Sequence, residues 1–316
     1  MRSIKLFIVL VFFSFRSFAQ DSTDVMKQLE QDSSKTEYTK GTFKSTRVIN
    51  GHSVENIGKG VLDVRILHRF TPISGGIYNY FGLDGASMRM GFDYGITNNI
   101  MVGIGHSTYQ KTYDGLVKIK ILRQSTGAVN MPFTLSFLST VAIRTELAKN
   151  ANTLTDTLKR IHTTLGDKTS FVEQIIIGRK FSNKFSLQLS PTYIFHHNNI
   201  DSVNKYTTDR KDIKYGPKRD NTFAIGIAGR LKVSKRISIT AEYYYQLPGT
   251  QPDNVHNSLA IGIDIETGGH VFQMHFTNST GMTEKSFIAD TADEFLGKNI
   301  RFGFNLSRVF NIGKRR

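Results

Sequence analysis

The chain is 316 residues long, 39% hydrophobic and 21% charged, with a formal net charge of +15 and no cysteine. Without cysteine, disulfides, thiol chemistry and thiolate metal sites are excluded. The basic balance suits nucleic acid or lipid phosphate; no nucleic-acid motif is present, so a solvated basic surface facing lipid phosphates is the better reading.

Residues 1–19 read as an export signal and are set apart from the fold. Arg2 and Lys5 form its basic start, Leu6–Phe15 its apolar stretch, and Ser17-Phe18-Ala19 a small-x-small cleavage site before Gln20. The run is too short, and too soon broken by Arg16, for a membrane-spanning helix. Removing Arg2, Lys5 and Arg16 lowers the net charge to +12. The remaining 297 or so residues could fill one large domain or two ordinary ones, and the lack of a linker-like composition shift after residue 60 favours one. Gln20–Gly60 is polar and irregular, with a short helix expected around Val25–Glu30.

From Val61 the chain alternates in twos. Its clearest stretch sets Met88, Met90, Phe92, Tyr94 and Ile96 against Ser87, Arg89, Gly91, Asp93 and Gly95. After Thr97-Asn98-Asn99 the alternation resumes at Ile100, which makes a β-hairpin. The same unit recurs and predicts twelve strands. The first six are Val61–Phe70, Ala86–Ile96, Ile100–Ser107, Leu116–Arg123, Phe133–Ile143 and Thr169–Phe181. The rest are Phe185–His196, Thr222–Leu231, Ile237–Tyr245, Ser258–Ile265, Val271–Thr277 and Ile300–Phe310. Most approach the nine to eleven residues that a tilted membrane-spanning strand needs.

Connections decide the architecture. Those after the even strands are short (ITNN, QSTGAVNMP, SNK, KVSKR and ETGGH), and those after the odd strands are mostly longer. The expected fold is therefore all-β: a transmembrane antiparallel up-and-down β-barrel of about twelve strands, with short periplasmic turns and long extracellular loops. An open sheet edge in hydrocarbon would leave N–H and C=O groups unpaired, so the first strand must pair with the last. Aromatics gather in two girdles, Phe92, Tyr94, Phe133, Phe181, Phe185 and Phe310 toward the turns and Tyr193, Phe195, Phe223, Tyr243, Tyr245 and Phe276 toward the loops. Glu173 falls on the outward face of Phe171 and Ile175, which a bulge would resolve.

FKSTRVINGHSVEN, FGLDGASMRMGFDYGITNNIMVGIGHS, YDGLVKIKILRQ, RKFSNKFSLQLSPTY, GGHVFQMHFTNSTGM and GFNLSRVF, with LHRF, form an ordered series from about Gly41 to Phe310. The series resembles an uncharacterised outer-membrane β-barrel family of Bacteroidota-type Gram-negative envelopes, defined as a domain of unknown function. The resemblance implies a barrel in the outer membrane and transfers no activity. The last strand also resembles the C-terminal signal read by the barrel assembly machinery, but carries a further tail, Asn311–Arg316. Expected partners are thus outer-membrane lipid, that machinery during biogenesis, and small anionic solutes, with no nucleic acid and no cofactor.

The inward face is expected to carry Asp63, Arg65, Arg69, Arg89, Asp93, Lys118, Lys120, Arg230, Glu242, Asp264 and Arg301. Their excess of basic groups gives either an anion-preferring passage or a closed interior in which opposite charges pair between strands. The leading function is a transport or pore-type barrel without catalytic chemistry; the runner-up is a structural or docking barrel with a closed lumen. A remote third is a lipid hydrolase using His256 and Ser258 with Asn278 as orienting residue. Ser258 shares a face with Ala260, Gly262 and Asp264, however, and so points away from lipid. His196-His197, His68, His106 and His275 lie on different strands and faces, and no metal site is expected.

Thr153–Gly166 places Leu154, Leu158, Ile161 and Leu165 at helical spacing inside a long connection. Gln20–Gly58 has two readings: a plug inside the barrel, or a segment hanging free. The plug reading rests on small inward residues that leave room: Gly91, Gly103, Gly105, Ala224, Gly226, Ala228, Ala260 and Gly262.

Overall fold

The computed structural model describes residues 35–145, 165–196, 221–249, 255–297 and 299–313. The expected export signal, the helix around Val25–Glu30 and nearly all of that over Thr153–Gly166 lie outside them. Fourteen strands run in chain order among the described residues. They are β1 (Thr36–Tyr38), β2 (Val61–Pro72), β3 (Ala86–Gly95), β4 (Ile100–Ser107), β5 (Thr112–Leu122), β6 (Ser125–Gly127) and β7 (Thr134–Arg144). Then come β8 (Thr169–Lys180), β9 (Phe185–His196), β10 (Asn221–Lys232), β11 (Ile237–Gln246), β12 (Ser258–Thr267), β13 (His270–Thr277) and β14 (Arg301–Asn311). Two short α-helices among the described residues, α1 (Leu165–Lys168) and α2 (Glu284–Ala289), lie in the long connections.

Twelve of these strands close into one antiparallel barrel, each paired with its sequence neighbour, and β14 pairs back onto β2. Alternation makes this possible. In β10, Phe223, Ile225 and Ile227 are exposed while Thr222, Ala224, Gly226 and Ala228 are buried. Neighbouring strands keep the same phase, as where Ile227 lies opposite Tyr243 and Leu189. The apolar residues thereby form one continuous outer surface. Aromatic rings join across it near the loops: Tyr193 meets Phe223 at 5.0 Å and Phe70 meets Phe302 at 5.8 Å between centroids.

Three departures from expectation have physical causes. β5 begins at Thr112, four residues before Leu116, because pairing of Ser107 with Thr112 prolongs its hairpin with β4. No register shift marks β8; the bulges fall between Arg301 and Gly303 and between Lys120 and Leu122. Glu173 stays outward because Ser139, its partner on β7, donates a hydrogen bond to its carboxylate at 2.8 Å. Finally, the connection after β5 is no plain turn. It carries β6, which pairs with β1 in a two-stranded ribbon at the short-turn end.

The buried apolar core lies within the barrel. Phe43, Val48, Ile49, Val54 and Ile57, which precede the first barrel strand, pack with inward Met101, Leu116, Leu138 and Ile176. A second cluster joins Val172, Ile194, Ala224 and Tyr244 of the wall to Phe287, Ile288 and Ala289 of α2. Each buried Val, Leu, Ile, Met or Phe among them contributes about 1.5–3 kcal/mol, before the entropy of ordering the segment is subtracted.

Candidate functional site in the lumen

The strand alternation turns eleven charged candidates to the barrel interior, and they fall into three groups. Some pair along the wall. Asp63 forms an ion pair with Arg65 and accepts from Ser307 Oγ at 2.6 Å. Arg89 pairs with Asp114, its Nε donating to Oδ1 at 2.9 Å. Asp264 accepts from Gln273 Nε2 at 3.0 Å and Thr240 Oγ1 at 3.3 Å. Asp93 is buried opposite Asp63, and Lys120 is half-buried near the short-turn end.

A second group reaches the segment before β2. Arg230 Nη1 donates to the carbonyls of Gly41 and Thr42 at 2.7 and 3.0 Å. Lys118 Nζ donates to the Ser53 carbonyl at 3.1 Å, and Arg69 Nη2 to Asn50 Oδ1 at 2.7 Å. The Glu242 carboxylate accepts backbone N–H from Ile49, Asn50 and Gly51 at 3.2, 2.7 and 3.1 Å. Three uncharged wall residues also reach it. Gln188 accepts from Val54 N–H at 2.9 Å and donates to the His52 carbonyl at 2.8 Å. Gln273 and Asn305 donate to the Val48 and Ile49 carbonyls at 2.6 and 2.9 Å. The segment has almost no regular structure of its own, so its backbone groups need these partners.

The third contact comes from the long-loop end. Residues 278–291 fold inward, carrying α2, and Phe287 packs edge-on against Tyr244 with ring centroids 5.0 Å apart. There Glu284 meets Arg47 of the opposite insert at 2.9 Å, with both side chains at most 3% exposed. His52 lies 3.5 Å from the same carboxylate, both of its ring nitrogens lacking a hydrogen-bond partner. Burial, and then the Arg47 charge, push the His52 pKa well below 6.5. Arg301, the last candidate, pairs with Asp293 on the same inward connection.

Several small residues do something other than expected. The space over Gly91 and Gly105 is filled by the Arg89 guanidinium, and that over Gly103 by Asp93. Gly226 faces the Tyr244 ring, whose hydroxyl in turn meets Gly51 of the segment, so a Cβ at either glycine would overlap the phenol. Gly178, outside the expected set of small inward residues, faces Val54. Gln188, Gln273 and Asn305 were also missed. They occupy inward positions of their strands, so period two alone marks them, but they carry no charge to set them apart.

The proposed hydrolytic trio is not assembled. Ser258 is buried on the inner face with its hydroxyl unpartnered, and His256 is exposed before the strand begins. The Asn278 amide bonds the backbone of Leu259, Asn257 and Asp293. The histidines are dispersed: His68 stacks on Phe304, His106 tilts against Tyr113, and His275 is buried inward. Among the described residues no three His, Cys, Asp or Glu side chains gather to hold a metal ion.

A family model described as Membrane bound beta barrel domain (DUF5777) matches residues 43–310. The chain belongs to this family. It is accordingly a membrane-bound β-barrel, and the match includes the inserted segment from Phe43 onward. Comparison with curated proteins finds no match. Solved structures with a similar trace include the NanC porin, 9% identical, covering 78% of this chain and 98% of that one at a TM-score of 0.45. The KdgM porin is 8% identical, with 79% and 99% covered and a TM-score of 0.44. The COG4313 outer membrane channel from Pseudomonas putida F1 is 12% identical, with 81% and 98% covered and a TM-score of 0.46. Likenesses at this level carry no solute or activity to this chain.

Proposed function

We propose that the chain is an outer-membrane barrel of transport or pore type, without catalytic chemistry, whose lumen residues 41–58 close as a plug. The observation that carries this reading is where the wall's polar groups go. Arg69, Lys118, Arg230, Glu242, Gln188 and Asn305 all hydrogen-bond to the inserted segment. A barrel closed for good by its own wall would pair such groups strand to strand. Here they are matched to a piece of chain that is not part of the wall. Withdrawing it would bare three cations, Arg69, Lys118 and Arg230, against one carboxylate, Glu242, among the candidate residues, giving a basic, anion-preferring lumen. The export-signal-like N-terminus and the barrel fold support placement in a Gram-negative outer membrane, with lipid around it and the assembly machinery as its biogenesis partner.

A structural or docking barrel is the second reading, favoured by the closure that α2 makes from the other end. Planar-bilayer recording separates the two. Deleting Asp21–Gly58 should leave a barrel that still shifts on heating in detergent gels, and its conductance should rise severalfold with anion selectivity. Unchanged conductance in the assembled deletion would rule out the plug, and silence in both forms would favour docking.

A further inference from the structure

At the long-loop end a cavity of about 80 Å³ opens between the ends of β5, β7 and β8 and the inserted helix α2. Its lining includes Gln110, Thr112, Arg144, Lys168, Thr169 and Lys285, and none of its lining residues carries a carboxylate. Pairing of Thr112 with Arg144, and of Ile143 with Thr169, brings the three strand ends together. The α2 side supplies Lys285, whose ammonium also contacts Asp290 at 2.7 Å.

Charge decides what such a space accepts. The hydroxyls of Thr112 and Thr169 already donate to the carbonyls of Tyr109 and Leu165 at 3.2 and 2.8 Å. The cations therefore set the sign of the guest, and Asp290 offsets only one of them. Gln110 and Lys111 at the rim hold left-handed backbone, with φ of 52° and 47°. The Thr145 N–H, donating to the Lys111 carbonyl at 3.1 Å, fixes that turn beside Arg144. Non-glycine residues hold such conformations at a cost, and they cluster where a turn must keep one shape.

We propose that this cavity binds a single phosphate-class oxyanion carried by a solute entering the mouth. An arginine fork with two lysine point charges suits a group bearing more than one negative charge better than a lone carboxylate. The space is large enough for one such group, with the rest of the solute left in the mouth. Buried Thr112, Ala142 and Ser170 lie on the inner face, so the site opens to the lumen mouth and away from surrounding lipid headgroups. The proposal stands whether or not the barrel conducts.

Titration calorimetry of the full mature chain in zwitterionic detergent with inorganic phosphate, in chloride buffer, tests it. Saturable binding is expected, weakened at least tenfold in the Arg144→Gln/Lys168→Gln double variant and unchanged in Lys232→Gln at the opposite end. Gln110→Glu removes no cation but adds a repelling charge, and should weaken binding too, which covers failure of the double variant to assemble. Absence of saturable binding, or equal binding in assembled variants, overturns the site. Repeating the titration in phosphatidylcholine nanodiscs with and without a phosphorylated glycolipid distinguishes the source. Loss of phosphate binding only with the glycolipid would assign these cations to lipid and overturn the solute site.

Discussion

Glu173 sits between Phe171 and Ile175 on the outer face, one carboxylate oxygen held by Ser139 and the other buried without a partner. A carboxylate facing hydrocarbon costs free energy, though less than a lysine or arginine there. Glu173→Leu should therefore stabilise the barrel by on the order of 1 kcal/mol, read from the urea midpoint of the gel-shift transition. A lower midpoint would show that the Ser139 bond outweighs the penalty. Arg47 and Glu284 present the opposite case. Both are buried, each is the other's counter-charge, and they join two inserts that enter from opposite ends. Glu284→Gln leaves a buried guanidinium uncompensated, a change that costs about 3–5 kcal/mol where measured elsewhere. Hydrogen exchange over residues 45–53 should accelerate strongly in that variant and much less in Arg47→Met/Glu284→Leu. Equal acceleration in both would mean packing, not charge, holds the inserts together.

At the scale of elements, three hairpin turns use one device. Thr97, Ser182 and Ser234 follow Ile96, Phe181 and Val233, and in each turn the side-chain oxygen accepts N–H groups two and three residues on. The bonds to the third residue are 2.9, 3.1 and 3.1 Å. The preceding residue's N–H donates across the turn to the carbonyl of Ile100, Phe185 or Ile237 at 3.0 Å each time. Ser182→Ala should lower stability by about 0.5 kcal/mol at this exposed turn, and a chemical-denaturation series on Ser182→Ala, Ser234→Ala and their double should be additive. Strongly non-additive losses would contradict independent turns. Strand number and phase were legible because period two is a local property of sequence, and closure because an open edge in hydrocarbon would leave backbone groups unpaired. The start of β5 was not, because it depends on which residue of β4 lies opposite. The assignment of Gly91 and Gly105 failed for a similar reason. A missing side chain marks space, but which neighbour fills it depends on the reach of Arg89, and period two says nothing about that. Period two likewise turns Lys118 and Glu242 inward but cannot say whether each meets a strand or the inserted segment, since those partners lie 63 or more residues away.

For the whole molecule, the two inserts make the filled state sensitive to acid. His52 is fully enclosed, facing Arg47 of its own segment, Arg65, Arg89 and Lys118 from β2, β3 and β5, and Glu284 from α2. Burial and the surrounding cations favour its neutral form, so its pKa in the inserted state lies well below the ordinary 6.5. A depressed histidine pKa contributes no penalty at pH above 6.5 and an increasing one as pH falls below it, down to the inserted-state value. Protonation therefore favours any state in which the segment leaves the lumen and His52 meets water. Current through the full mature chain in a planar bilayer should be low at neutral pH and rise as pH falls below that point. Wall carboxylates also face the segment, Glu242 most directly, so acid sensitivity alone does not identify the sensor. His52→Gln removes the titration while keeping a polar side chain of similar size, and should shift the onset of opening to lower pH without raising the neutral-pH current. If wild type and variant open at the same pH, His52 is not the group that acid reads, and the carboxylates holding the segment would be the ones to test in its place.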